Sequence, residues 1–515
     1  MLFNSHIFIF LFLPLAFASF WGVKIWMGQR LARRWALVIT LVFFAWWHPP
    51  DLLVLVGSLV VNYIFGRLLL RHPPRQARGT IALGVTVNLL ALGYYKYTRL
   101  ILATADWLGG GDFVLGAVIL PLGISFFTFQ QIAYLVDCYR GEADRYAFLD
   151  YCLFVTFFPH LNAGPIIHHR ELMEEFTNDR RCSSGMVAQG LTLFIIGLAK
   201  KVLVADTIAA YATPVFKEAA LGTSPTFLDS WAGALAYTMQ LYFDFSGYSD
   251  MAIGVGLLFG VTLPINFASP YRALSISEFW RCWHITLSRF LRNYLYIPLG
   301  GSRKGANRTS INLMLTMLLG GLWHGASWTF VAWGAFHGFY LLVNHRFSAW
   351  REGRSWSRWV DTAAGQGLSW ALTFVCVIFG WVLFRAESFA ASSRIWQGML
   401  GLNGLTLPER HLAKLEQLGL NRAWLGAEAN HPAILNFNGE LIFWLLGALF
   451  LATLCPNSQQ IVGLASPHAP AGSRPRWAAR LQWRPSSAWA VATAAVGIVA
   501  VLYITQLSEF LYFQF

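Results

Sequence analysis

His324 closes the run Leu318-Leu319-Gly320-Gly321-Leu322-Trp323-His324-Gly325, a polar break in a segment otherwise apolar enough to lie in a bilayer. An ionisable side chain is costly at that depth and marks a functional site by default. Gly320, Gly321 and Gly325 remove side-chain bulk from around the imidazole, so another group, a reactive substrate among them, can approach it closely. The competing reading is a buried histidine bonded to a backbone carbonyl. A second histidine in a polar setting, His284, weighs against it.

His284 lies in Ser277-Glu278-Phe279-Trp280-Arg281-Cys282-Trp283-His284-Ile285-Thr286-Leu287-Ser288-Arg289-Phe290-Leu291-Arg292-Asn293-Tyr294-Leu295-Tyr296. This stretch reads as one amphipathic helix with Ser277 as N-cap. At 100° per residue Arg281, His284, Ser288 and Arg292 share a narrow polar stripe, with aromatic and aliphatic residues around the remainder. Such a helix either anchors in the interface through snorkelling arginines or lines a wet cavity. In the second case His284 is a candidate base or hydrogen-bonding group, and the arginines suit a phosphate or a developing oxyanion.

Other polar insertions are open to both structural and chemical readings. Asp244 and Asp250 sit in Tyr242-Phe243-Asp244-Phe245-Ser246-Gly247-Tyr248-Ser249-Asp250, where they serve either as ion-coupling groups of a transporter or as partners that hold arginines between helices. Pairing is favoured by the number of arginines in need of partners. Phe157 to Pro165 breaks another apolar run with Pro159, His160 and Gly164. His337 and His345 read as structural or peripheral. The six cysteines are scattered, without a C-x-x-C or a histidine at metal-ligand spacing, so no metal or disulfide is expected. Nucleotide-binding loops, H-E-x-x-H and G-x-S-x-G are missing too, which leaves any chemistry to histidine.

The elements that must position these residues are membrane helices. Of 515 residues 56% are hydrophobic and only 12% charged, and the mean hydropathy is +0.50. These values exclude an ordinary soluble domain. The net charge of +13 does not indicate nucleic acid, because the basic residues fall in short blocks between apolar runs. Apolar stretches near 7–26, 36–48, 51–70, 80–98, 114–136, 147–163, 188–212, 226–262, 309–323, 327–345, 366–386, 438–455 and 486–508 predict an all-α polytopic fold of about 11–14 hydrophobic helices in one membrane domain, residues 1–515. Several are too short for a straight span. Irregular backbone at membrane depth needs a shielding cavity.

The run from Ile7 to Trp21 lacks a basic flank and a cleavage site, and is expected to be a retained first helix. Basic links at Arg30 to Arg34, Arg71 to Arg78, Arg346 to Arg358 and Arg474 to Arg484 are expected in the cytoplasm. The link 387–437 and both termini then lie outside. That link, with Trp396, Leu415, Leu418 and Trp424, either forms short helices that offer a partner surface or simply caps the bundle.

Taken together, Tyr242 to Asp250, Ser277 to His284, Tyr294-Leu295-Tyr296-Ile297-Pro298-Leu299-Gly300-Gly301 and Gly321 to Gly325 resemble the membrane-bound O-acyltransferases. Within them the chain is most similar to the bacterial exopolysaccharide acetylation branch that acts on alginate or cellulose. The resemblance runs from Leu2-Phe3-Asn4-Ser5 to Leu511-Tyr512-Phe513-Gln514-Phe515. It implies a ring of tilted helices around a central funnel or tunnel, with His324 as the catalytic histidine and His284 as the second family histidine. Arg281, Ser288, Arg292, Asn293, Trp323, Gly321 and Gly325 would then line the tunnel. The family commonly has Arg-Asp where this chain has Arg292-Asn293, so no role needing a carboxylate carries over to position 293.

The resemblance further implies acetyl-CoA as donor, no permanently bound cofactor, and a periplasmic serine-hydrolase-like acetyltransferase as partner. Lys200, Lys201, Arg303, Lys304 and Arg308 are the donor-phosphate candidates, with the reading of each as an ordinary topology charge placed ahead. His324 serves either as general base or as nucleophile. Against this reading of an inner-membrane O-acetyltransferase for a biofilm polymer stand a transporter, with Asp244, Asp250 and the histidines as a proton or substrate relay, and a scaffold of the secretion complex.

Overall fold

The computed structural model describes residues 1–46, 48–109, 118–161, 164–178, 180–354, 357–405, 417, 434–464, 481–504 and 511. Every regular element among them is a helix. Large apolar side chains such as Leu15, Trp26, Leu53, Leu90, Leu372 and Phe443 project outward. So much exposed apolar surface has no counterpart in a water-soluble monomer and suits a lipid-facing belt. Phe8–Met27, Asp51–Leu69 and Ala363–Arg385 are each long and apolar enough to cross a bilayer. The chain is an all-α polytopic membrane protein.

We label the elements that position the site. These are α1 (Leu13–Met27), α2 (Arg78–Leu92), α3 (Ile124–Arg140), α4 (Ser184–Ala199), α5 (Phe227–Leu258), α6 (Ile276–Cys282), α7 (Ile285–Leu291), α8 (Ala306–His324), α9 (Trp328–Arg351) and α10 (Ala363–Arg385). From Ala236 to Leu258 every residue of α5 is buried. A helix hydrophobic all round belongs inside a bundle, and α5 is the central post of this one.

Glycines set how closely α5 and α8 meet their neighbours. A Cβ on Gly197 of α4 would lie 2.8 Å from the Met251 nitrogen, and one on Gly254 of α5 2.8 Å from the Phe194 nitrogen. Likewise a Cβ on Gly321 would come within 3.1 Å of Gly334 Cα. Backbones meet at these points, as small residues permit in membranes. The second crossing fixes the last turn of α8, where His324 sits, against α9.

The 387–437 link opens with a helix, Phe389–Met399, that packs inward. Trp396 stacks on Phe336 at 5.6 Å, and its indole nitrogen donates to the Phe379 carbonyl at 3.2 Å. Leu415, Leu418 and Trp424 lie outside the described residues, as do Arg474, Arg476, Arg480, Asn162 and Ala163.

Candidate active site

His324 is the last residue of α8, and its side chain is buried. Its ring is walled by aromatic rings from three helices: Trp323 at 5.0 Å, Trp333 at 5.1 Å and perpendicular, and Phe384 at 5.3 Å. Gly325 leaves the helix in extended conformation, and a Cβ there would run into the Phe330 ring. The glycines do not leave open space beside His324, because Leu291, the Phe330 ring and the backbone of α9 occupy it. Gly325 admits the Phe330 ring, and Gly321 admits the neighbouring helix.

The end of α8 is capped from elsewhere in the chain. After α2 the helix passes through a π-turn, Gly93–Tyr97. Tyr97 donates its hydroxyl hydrogen to the Leu322 carbonyl at 2.8 Å. Lys96 Nζ donates to the carbonyls of Trp323 at 2.6 Å and His324 at 3.1 Å, and reaches Ser125 Oγ at 3.4 Å. The terminal carbonyls of a helix need such partners. Trp323 in turn donates to the Ser125 carbonyl at 3.4 Å and stacks on Phe129.

His284 stands 6.4 Å from His324, centroid to centroid, and is fully buried. The single helix expected over Ser277–Tyr296 is broken at this residue. Ser275, not Ser277, caps α6 through Glu278 N, and His284 adopts a left-handed φ of 43° before α7 begins. Non-glycine residues rarely adopt that conformation, and it tends to mark function. Asn266 holds it: its Oδ1 accepts from His284 Nδ1 at 3.1 Å, Thr286 Oγ1 at 3.0 Å and Thr286 N at 3.3 Å, and its carbonyl accepts from Ile285 N at 3.0 Å. An amide oxygen only accepts, so Nδ1 of His284 carries the hydrogen and Nε2 presents the lone pair.

The break dissolves the predicted stripe. Arg281 and Arg292 are exposed while His284 is buried, so no common face joins them. Ser288 is half-buried and donates to the Trp283 carbonyl at 3.4 Å. Asn293 lies in a π-turn, Arg292–Tyr296, where its carbonyl faces Arg140 at 3.5 Å. Thus His284, His324, Trp323, Gly321 and Gly325 come together, and Arg281, Arg292 and Asn293 do not join them in the aromatic chamber. His337 is closer than its peripheral reading implied. It is buried 4.9 Å behind Trp333, the ring that also faces His324. His345 is exposed.

Lys200 and Lys201, two of the donor-phosphate candidates, are each held by carboxylates. Lys200 pairs with Asp250 at 2.7 Å, and Lys201 with Asp244 at 2.6 Å and Asp206 at 2.7 Å. Asp250 also accepts from Ser458 at 2.5 Å and Gln459 at 2.6 Å. The two carboxylates pair as expected, but with lysines instead of arginines. Arg303, Lys304 and Arg308 remain exposed around the start of α8. At 1.5 Å per residue that is about 24 Å from His324 along the helix axis.

One Asp and two His could also serve as metal ligands. Asp137 Oδ2 lies 2.9 Å from His168 Nε2 and 3.1 Å from His169 Nε2, and accepts from Tyr294 at 2.7 Å. His168 Nδ1 accepts from Arg170 N, which leaves its Nε2 as the donor to Asp137. These contacts close as a hydrogen-bond network. A groove of about 500 Å³ between α1, α4 and the C-terminal helix Ser487–Leu502 has only apolar side chains in its lining, Phe17, Leu191 and Val501 among them, and offers no group for chemistry.

The fold is an all-helical membrane bundle whose two buried histidines lie among aromatic rings. Residues 79–384 match the model of the MBOAT, membrane-bound O-acyltransferase family, and include Lys96, Asn266, His284 and His324. The chain belongs to this family. It is 42% identical over 451 residues to the peptidoglycan O-acetyltransferase of Helicobacter pylori, covering 82% of this chain and 84% of that one. It is 43% identical over 427 residues to the probable alginate O-acetylase AlgI of Pseudomonas aeruginosa, covering 81% and 78%. Over 233 residues it is 30% identical to the teichoic acid D-alanyltransferase of Streptococcus thermophilus, covering 43% and 56%.

Three positioning residues escaped sequence reasoning. Lys96 carried a usable signal, a lone cation in an apolar stretch. Asn266 and Tyr97 carried little, because their roles depend on partners far away in sequence.

Proposed function

We propose that the protein is an O-acetyltransferase of the bacterial inner membrane that takes acetyl from acetyl-CoA on the cytoplasmic side and delivers it toward a secreted or cell-wall polysaccharide of the alginate or cellulose type. The observation that carries this reading is the pair of buried histidines, 6.4 Å apart, with one of them at the end of α8. The relatives named peptidoglycan O-acetyltransferase and probable alginate O-acetylase support a polysaccharide acceptor. In this reading both termini face the periplasm, and a periplasmic serine-hydrolase-like acetyltransferase completes delivery to the sugar. The transporter alternative loses its relay carboxylates, since Asp244 and Asp250 are each held by a lysine.

The chemistry follows from an imidazole buried among aromatic rings. A hydroxyl of the acceptor gives its proton to His324 as its oxygen bonds to the thioester carbonyl carbon. The carbonyl oxygen gathers negative charge. As the carbon–oxygen double bond re-forms, the carbon–sulfur bond breaks and the leaving thiolate takes the proton back from the imidazolium. His284, fixed by Asn266, holds the second polar position beside this path. Exclusion of water by Trp323, Trp333 and Phe384 strengthens these interactions and protects the thioester from hydrolysis.

The test is turnover of acetyl-CoA by the purified full chain, with and without its periplasmic partner, for wild type, His324→Ala and His284→Ala. Loss of thiol release in His324→Ala with normal folding supports the reading. Full turnover in both variants removes the histidines from the chemistry.

A further inference from the structure

A helix carries partial negative charge at its C-terminus, concentrated on the last unpaired carbonyls. His324 sits at that end of α8, a helix of 19 residues. Acyl transfer builds negative charge on the thioester oxygen and then on sulfur, so the bare end of α8 opposes the reaction it hosts. Lys96 answers this conflict. Its ammonium reaches the carbonyls of Trp323 and His324 and lies 5.9 Å from the centre of the Trp323 ring. The Lys96 ammonium has no carboxylate partner within ion-pair distance among the described residues, in contrast to Lys200 and Lys201. Held by the two carbonyls, a protonated Lys96 keeps its charge at the end of α8 and not on a neighbouring anion. A cation without a carboxylate partner among the described residues is costly at this depth, and its position against the His324 carbonyl gives it an electrostatic use.

We propose that Lys96 is a positioning residue of the acyl transfer that reverses the sign of the field at the C-terminal end of α8, so that the chamber favours the anionic stages of the reaction. This rests on the reading of His324 as the group at which acyl transfer takes place. Lys96 and Tyr97 divide the work. Both cap carbonyls of the last turn, but only Lys96 brings charge.

The experiment measures kcat and KM for acetyl-CoA, read as free thiol, with the full chain in nanodiscs and its periplasmic partner present. Lys96→Gln keeps a carbonyl-capping donor and removes the charge; Lys96→Met serves as the second uncharged variant should the first fail to fold. Lys96→Arg keeps the charge, and Tyr97→Phe removes a cap alone. We expect the uncharged variants to lose about 30-fold or more in kcat at nearly constant KM, less than the roughly 100- to 1,000-fold cost of losing a direct oxyanion donor. Lys96→Arg should restore kcat to within about fivefold of wild type, and Tyr97→Phe should stay within about threefold. Wild-type kcat in a folded uncharged variant overturns the proposal. Equal losses in Lys96→Gln and Tyr97→Phe without rescue by arginine also overturn it, because they reduce Lys96 to a cap. Retained turnover in His324→Ala would instead defeat the underlying functional reading.

Discussion

Asn266 Oδ1 accepts a hydrogen bond from Nδ1 of His284 at 3.1 Å and so fixes which nitrogen of that buried ring presents a lone pair. The same oxygen accepts from Thr286, which ties the left-handed turn at His284 to the start of α7. Asn266→Leu removes the acceptor and frees the ring. We expect kcat to fall about 10–100-fold while Asn266→Asp keeps most activity, since loss of a positioned acid–base group costs about that much or more. Steady-state turnover of acetyl-CoA checks this. Wild-type kcat in Asn266→Leu would show that His284 needs no fixed orientation.

The α8–α9 crossing depends on Gly321, whose absent side chain lets the two backbones touch. Gly321→Ala forces them apart and is expected to cost about 1–3 kcal/mol. Gly367→Ala on α10 is the matched control, because a Cβ there meets nothing within 4 Å. Thermal melting of both variants in one detergent should lower the midpoint of the first alone.

Breaking the Lys200–Asp250 pair strands a buried charge. Lys200→Met should destabilise the fold by about 3–5 kcal/mol, and adding Asp250→Leu should recover part of that loss because the orphaned carboxylate goes too. In the double variant KM for acetyl-CoA should stay at the wild-type value. A raised KM would return Lys200 to the donor site.

Arg303, Lys304 and Arg308 are exposed and are donor-phosphate candidates in the proposed reading. Replacing all three with glutamine should raise KM for acetyl-CoA by about tenfold, leave kcat in place and weaken the salt dependence of KM. The titration is run at two ionic strengths. An unchanged KM at both would make them topology charges only.

The helical elements were legible in the sequence because apolar runs are a local property. Stretches predicted at 309–323 and 327–345 became Ala306–His324 and Trp328–Arg351, and the break between them fell where His324 and Gly325 stand. His324 itself was legible, since an imidazole among glycines in an apolar segment is anomalous without any partner known. The helix over Ser277–Tyr296 was misread for a physical reason. Periodicity at 100° per residue places Arg281 and His284 on one face, but the turn at His284 is imposed by Asn266, outside that segment. Lys200 and Lys201 were misread in the same way, because a lysine in a sequence shows its charge and not the aspartate that neutralises it.

The central claim is that acyl transfer takes place at His324, and the most direct measurement of it is the rate of thiol release from acetyl-CoA by purified His324→Ala beside wild type. The account predicts a fall of about a thousandfold or more, in a protein that elutes and melts like wild type. A rate within a few-fold of wild type would contradict it.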